Sequence, residues 1–425
     1  LIRYLIVSGV NQGAERIKTR DFQNLIGRAG RAGMHTEGLV VFADPKVIDN
    51  KRTERWRLQA AVGLLKPENS EETTSSLLEL LMPISSPDGR NTLPVPTVDL
   101  LQGYFKRGDE LLAWATEMGD AHRRIGFDHR SLMKEVTSRQ KLLSALESYL
   151  MANRGAESFE DLLPRVRVLA ASTLAYSLAD ESTKASLVQL FELSASYIEQ
   201  LVPEPVRQAA YAKTLLGAFD SRMIEAWVRE RADALRVLAT PDEWLQAMWP
   251  LFNAVVDDKL LTGMEPAGFS IQLAQEWMRG KAYRHLIDMA MAAEASKPWG
   301  ENGRRRLTEA DVLQFLEGCL GFDCPLVAAA VGQFLFGATG LNGEEAGALN
   351  EFQKSLAYGL PSKLAVSIYE SGLADRYIAQ DVAIDIWLAG YEGSNFRTAL
   401  SEHREVVANT LSAYPSYFAA VLDSL

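Results

Sequence analysis

Cysteine is nearly absent: the 425 residues contain only Cys319 and Cys324, and two thiols cannot supply the four ligands of a structural zinc site. They read as small buried hydrophobes of a reducing compartment, so the expected location is cytoplasmic. Histidine is as sparse, with His35, His122, His129, His285 and His403 scattered and no HExxH pair, and no metal site is expected. No uninterrupted apolar run approaches the roughly eighteen residues of a membrane helix. The richest, Cys324 to Phe336, is short, contains Gly332 and Gln333, and reads as a buried helix with no membrane partner.

What is present is the balance of an ordinary globular chain, 47% hydrophobic and 23% charged residues, long enough for two to four domains. A net charge of -11 argues against a surface that attracts nucleic acid everywhere, but it leaves room for local basic clusters. Three stand out: Lys51, Arg52, Arg55 and Arg57; His122, Arg123, Arg124 and Arg130; and Arg304, Arg305 and Arg306. Leu1, Ile2, Tyr4, Leu5, Ile6 and Val7 read as a buried strand entered in mid-course, so the expectation is a piece of a longer chain.

Residues 1–48 alternate strand, polar turn, helix and strand: RYLIVSG, NQGAERIKTR, DFQNLIGRAGR, GLVVFAD. Asp21 is placed to cap the helix. The two strands lack polar alternation, which predicts a parallel sheet covered on both faces, the last βαβ unit of an α/β domain. After Pro45 the apolar spacing is three and four, so the fold class expected is mainly α, an α/β end followed by a long multi-helix region. Met82 to Pro96, with four prolines, is the expected linker or a short β-wing, and Lys297 to Arg306 is a second break. The expected domains are 1–48, a linker and winged-helix-like module over 49–130, a helical bundle over 131–300 and a C-terminal helical domain over 301–425. No fixed repeat occurs.

The segment with the most chemistry is Asn24 to Gly33, NLIGRAGRAG. Arg28 and Arg31, three apart, lie on one side of a helical turn. Gly27 and Gly30 leave the backbone open to a phosphate, and each guanidinium offers a planar fork to phosphate oxygens. Such a pair suits the γ-phosphate of a nucleotide, where an arginine finger accelerates transfer by roughly a thousandfold or more. The alternative is a Gly-Arg-rich helix end that only packs on its own domain. The flanking elements, a strand and helix before and MHTEG into LVVFAD after, favour the phosphate reading.

NLIGRAGRAGMHTEGLVVF resembles motif VI of Ski2-like and related DEAD/DEAH-box helicases of superfamily 2, over about the first tenth of the chain. The resemblance implies that residues 1–48 end the second RecA-like domain, with Arg28 and Arg31 as the γ-phosphate and finger arginines. Asn24 stands where that motif usually has glutamine, and its shorter amide leaves its reach to the nucleotide open. Ser8-Gly9-Val10-Asn11 resembles motif V but lies too close to motif VI and ends a strand, so it reads as coincidence. Leu273, Trp277, Gly280 and Leu286 resemble a helix pair of Ski2-like C-terminal domains. Tyr358 to Ser362 and the following AVSIYESGLADRYIA resemble their helix-hairpin-helix module, in which Gly372 would make the turn and offer amides to a backbone phosphate.

Neither GxxxxGK[ST] nor DExH/DExD occurs in the chain, so ATP and Mg2+ would be held mainly by a half that this chain does not contain, and the chain alone is expected to be inactive. The function expected is the C-terminal portion of an ATP-dependent helicase, its helical domains guiding the strand. Nucleic acid is the expected partner, DNA ahead of RNA, with a nuclease or other defence subunit as in antiphage systems of the Hachiman type. The alternative is a helical protein-binding scaffold with no catalysis of its own.

Overall fold

The computed structural model describes residues 4–12, 15–26, 39–44, 55–70, 75–299, 303–337, 340 and 343–425. They form two compact units, Leu1–Ser76 and Leu77–Leu425.

In the first unit β1 (Tyr4–Val7) is followed by a short hairpin, β2 (Asn11–Gln12) and β3 (Glu15–Arg16), then α1 (Thr19–Ile26), β4 (Leu39–Phe42) and α2 (Arg55–Leu64). β1 pairs in parallel with β4, Tyr4 opposite Leu39 and Val7 opposite Phe42. That is the βαβ connection expected from the sequence. The polar turn contains more order than expected, because Asn11 pairs with Arg16 and Gln12 with Glu15. Val7, Val10, Phe22, Ala61 and Leu64 form the core, and Phe22 stacks on Phe42 with ring centres 5.8 Å apart. The expectation of two covered faces is corrected: Ile6, Leu39 and Val41 are exposed. Among the described residues only one side of the strand pair has a buried core.

The second unit is mainly helical, in three successive cores. The first is built from α3 (Ser76–Glu79), α4 (Thr97–Tyr104), α5 (Gly108–Ala121), α6 (His129–Ala152), α7 (Phe159–Ala171), α8 (Leu174–Leu178), α9 (Glu181–Leu201) and α10 (Pro205–Ala212). Asp128 starts α6 by accepting from the amides of Arg130 and Ser131 at 2.8 and 2.9 Å, a capping box that fixes where this long helix begins. Met82 to Pro96 is not a linker. Ser85 bridges Thr92 in antiparallel fashion, and Ile84 and Leu93 are buried. The buried Arg139 of α6 ties this loop down, donating to the Met82 carbonyl and, at 2.6 Å, to the Tyr104 hydroxyl.

The core closes on α11 (Ala218–Arg236) through a buried acid. Glu147 of α6 is fully buried; its Oε2 accepts from the amide of Ala218 at 2.8 Å, while Oε1 has no partner among the described residues. Burial is the main cause that pushes its carboxyl up to about 7, against the lowering effects of that amide and Arg107. A folded-state value above the unfolded one means that the protonated acid stabilises the fold at low pH. This contribution is present below about pH 4.5 and lost as pH rises towards 7, a swing of roughly 3 kcal/mol. Urea denaturation across that range should show Glu147→Gln with a flatter stability profile than the parent protein. A stability difference between the two that stays constant with pH would contradict this account.

The second core runs through α11, α12 (Pro241–Val255), α13 (Lys259–Gly263), α14 (Phe269–Met278) and α15 (Tyr283–Ala292), then past a hairpin of β5 (Ser296–Trp299) and β6 (Gly303–Arg306). It ends with α16 (Glu309–Gln314), a π-helical segment Phe315–Asp323, α17 (Cys324–Phe336) and α18 (Gly347–Tyr358). The second expected break is therefore a paired hairpin. From Glu309 to Phe336 the helix is continuous for 28 residues and is long and apolar enough to cross a membrane, but 56% of its most apolar window is buried inside the fold, as in a core helix. The π segment also brings the cysteines together: the amide of Cys324 donates to the Cys319 carbonyl five residues back, and the two buried sulfurs lie 3.9 Å apart.

The third core is formed by α19 (Lys363–Glu370), α20 (Arg376–Leu388), α21 (Phe396–Leu411) and α22 (Ser416–Ser424) around Leu360, Ile368, Val382, Ile386, Phe396 and Val407.

Candidate functional site

In the sequence the arginine segment follows α1 and precedes β4. Phe22 anchors α1 in the core, and Gln23 donates to the Leu64 carbonyl at 2.7 Å, so the next residue, Asn24, is on the exposed side. Asp21 lies inside the first turn instead of capping it, where a carboxylate still complements the helix dipole. Gly27, Arg28, Gly30 and Arg31 lie outside the described residues.

The second sequence candidate, Arg304 to Arg306, lies on β6 and not at a helix end. Alternate strand residues share a side, and Arg304 and Arg306 are both engaged: Arg304 donates to the Gly263 carbonyl and, at 3.3 Å, to the Glu265 carboxylate, and Arg306 to the Met291 carbonyl at 3.0 Å. Arg305 alone has no partner among the described residues. Of the other clusters, Lys51 and Arg52 lie outside the described residues. Arg57 is engaged with Asp44 at 2.9 Å, and Arg123 and Arg124 are exposed in a single turn after α5. On the expectation that the chain binds a single strand, replacing Arg304, Arg305 and Arg306 by alanine should therefore flatten the salt dependence of that binding by about one phosphate contact, near 0.7 in log–log slope, and not by three. Arg305→Ala alone should reproduce that change, and a triple variant losing two or more contacts would show that the other two also reach phosphate.

The third and fourth candidates meet in space. Gly359, with φ +60°, ends α18, and a Cβ there would lie 2.6 Å from the Trp277 ring. Trp277 is buried and its indole Nε1 donates to the Leu356 carbonyl at 2.7 Å. Arg376, part of the second echo but given no role there, lies over the same indole with its guanidinium carbon 3.9 Å from the ring centre and 5.1 Å from that of Tyr283. It donates to the carbonyls of Gly359 at 2.7 Å and Lys281 at 3.1 Å, and Gln380 donates to the Gly280 carbonyl at 2.9 Å. Leu273 and Leu286 are buried core residues. Together these residues join the second core to the third.

Gly372 does turn the chain between α19 and α20, at φ +115°. Its own amide, however, donates to the Tyr369 carbonyl at 3.2 Å. The first amides of α20, those of Tyr377 and Ile378, are taken by the Asp375 carboxylate at 2.9 and 3.1 Å. That acidic cap occupies the place a phosphate would take and repels it. Among the described residues no group of three or more His, Cys, Asp and Glu side chains could hold a metal ion. Compared with known proteins, the chain matches no family model and no curated sequence.

Proposed function

We propose that the chain is the C-terminal part of an ATP-dependent nucleic-acid helicase, in which Arg28 and Arg31 reach the γ-phosphate of ATP held with Mg2+ by a second, phosphate-binding half. The observation that carries this reading is the position of GRAGRAG between α1 and β4 of a parallel βαβ unit. A two-stranded parallel sheet with Ile6, Leu39 and Val41 exposed among the described residues supports this reading, because parallel sheets are ordinarily covered on both faces within a larger layered domain. In that arrangement Asn24, on the exposed side of α1, lies three residues before Gly27 and four before Arg28 in the sequence. The helical cores serve as the strand guide, with nucleic-acid contacts confined to patches such as Arg305. The deciding experiment is ATP turnover by a protein that joins this chain to a phosphate-loop half, with and without Arg31.

A helical protein-binding scaffold is the second reading. It is favoured by α20, whose Tyr377, Ile384, Trp387 and Leu388 are exposed beside a groove of about 440 Å³, an apolar face of the kind partners cover. ATP turnover unaffected by Arg31 would move the assignment to this reading.

A further inference from the structure

A cavity of about 520 Å³ opens among α5, α6, the start of α11, the end of α12 and the junction between the π segment and α17. This size suits a small organic molecule. Its charged lining residues are Arg107, Lys141, Asp220, Asp257 and Asp323.

The two cations are already engaged within the protein. Arg107 donates to the carbonyls of Tyr104 at 2.6 Å and Lys106 at 3.0 Å and lies over the Phe219 ring. Lys141 pairs with Asp257 at 3.7 Å. Asp220 and Asp323, by contrast, have no hydrogen bond or ion pair among the described residues. Burial pushes both carboxyls up, against the nearby charge of Arg107 for Asp220 and of Lys141 for Asp323. Asp323 also feels Asp258 and Asp257; it ends the π segment while Asp220 is in the first turn of α11, so the two mark separate places on the wall. Behind that wall Ser144, a lining residue, and the fully buried Glu147 flank Gly217, where a Cβ would come within 2.8 Å of both side chains. The charge left without a partner on this wall is therefore negative, carried by two half-buried carboxylates that a bound cation would compensate.

An inorganic dication is a poor fit: no metal-ligating group of three exists among the described residues, and it would leave the apolar wall of Phe219, Met223, Val256 and Leu326 without a role. A chain of methylenes carrying an ammonium at each end satisfies both features. We propose that this cavity binds a linear organic dication, an alkyl diamine or polyamine. One ammonium sits on Asp220, the other on Asp323 and Asp257, and the methylenes lie along Phe219, Met223, Val256 and Leu326. The inference is independent of the nucleotide reading of the first unit.

Isothermal titration of the full chain with 1,5-diaminopentane and with spermidine tests it, using n-hexylamine and, at matched ionic strength, MgCl2 as controls. The expected result is saturable one-to-one binding, at least about tenfold tighter for the diamines than for the monoamine. Asp220→Asn and Asp323→Asn should each weaken it by about tenfold or more while leaving the unliganded melting temperature unchanged or higher, since each removes a half-buried acid without a partner. If an asparagine variant melts lower, Val256→Phe fills the apolar wall, keeps both acids, and should abolish binding. Diamine no tighter than monoamine, several weak sites indifferent to Asp220→Asn, or no saturable heat would overturn the proposal and leave only ion condensation on an acidic surface.

Discussion

Replacing Arg31 by alanine is expected to lower ATP turnover by at least about a hundredfold in a protein that joins this chain to a phosphate-loop half, with only a modest change in nucleotide affinity. A finger arginine meets charge that develops as the γ-phosphoryl group leaves, so its removal falls on the transition state more than on the bound nucleotide. Arg31→Lys should recover little, because an ammonium keeps the charge but not the two-pronged donor. Arg28→Ala should raise the Michaelis constant more than Arg31→Ala does, as expected of a residue that holds the phosphate before transfer. Near-normal turnover in Arg31→Ala would falsify the assignment of this segment as a γ-phosphate site.

The largest effect on stability should come from Arg376→Ala. The guanidinium lies over Trp277 with Tyr283 beside it and is a donor to the carbonyls of Gly359 and Lys281. Alanine removes a desolvated cation–π contact and leaves two carbonyls short of donors, together about 3 kcal/mol. Arg376→Lys should restore less than half, since a point charge cannot both lie flat on the indole and span the two carbonyls. Gly359→Ala should act on the same joint from the other side through its positive φ and its approach to Trp277. Urea denaturation followed by tryptophan fluorescence measures all three. A midpoint for Arg376→Ala within about 0.5 kcal/mol of the parent would show that the third core needs no such clamp.

The helical character beyond residue 50 and the βαβ order of the first unit were legible in the sequence, because apolar spacing and strand composition are local signals. Trp277 and Gly359 were legible only as separate echoes, with Arg376 inside the second; that the three meet in one joint is set by packing between two cores. The arginines on β6 were misplaced for a related reason. KPWGENGRRR has the composition of a break, and nothing local reveals that Ser296 to Trp299 finds a partner strand in Gly303 to Arg306. Gly372 was read correctly as a turn, but Asp375 sits just where a bound phosphate would have to be. Compositional reading of Met82 to Pro96 missed that Ile84 and Leu93 fill the first core. The cavity acids gave no signal at all, since Asp220 and Asp323 are a hundred residues apart and become neighbours of one space only through packing.

The π segment changes the phase of the longest apolar helix. A turn closed by hydrogen bonds five residues back holds one more residue than an α turn, so Phe315–Asp323 acts as a shim between the face set by Val312 and Leu316 and the face set by Val327, Val331 and Leu335. Loss of a single residue there would let the turn close as an α turn while the faces on either side keep their phase, whereas the same deletion elsewhere in the helix would rotate everything after it by about 100°. The helix thus tolerates a one-residue change in length inside this segment and not outside it.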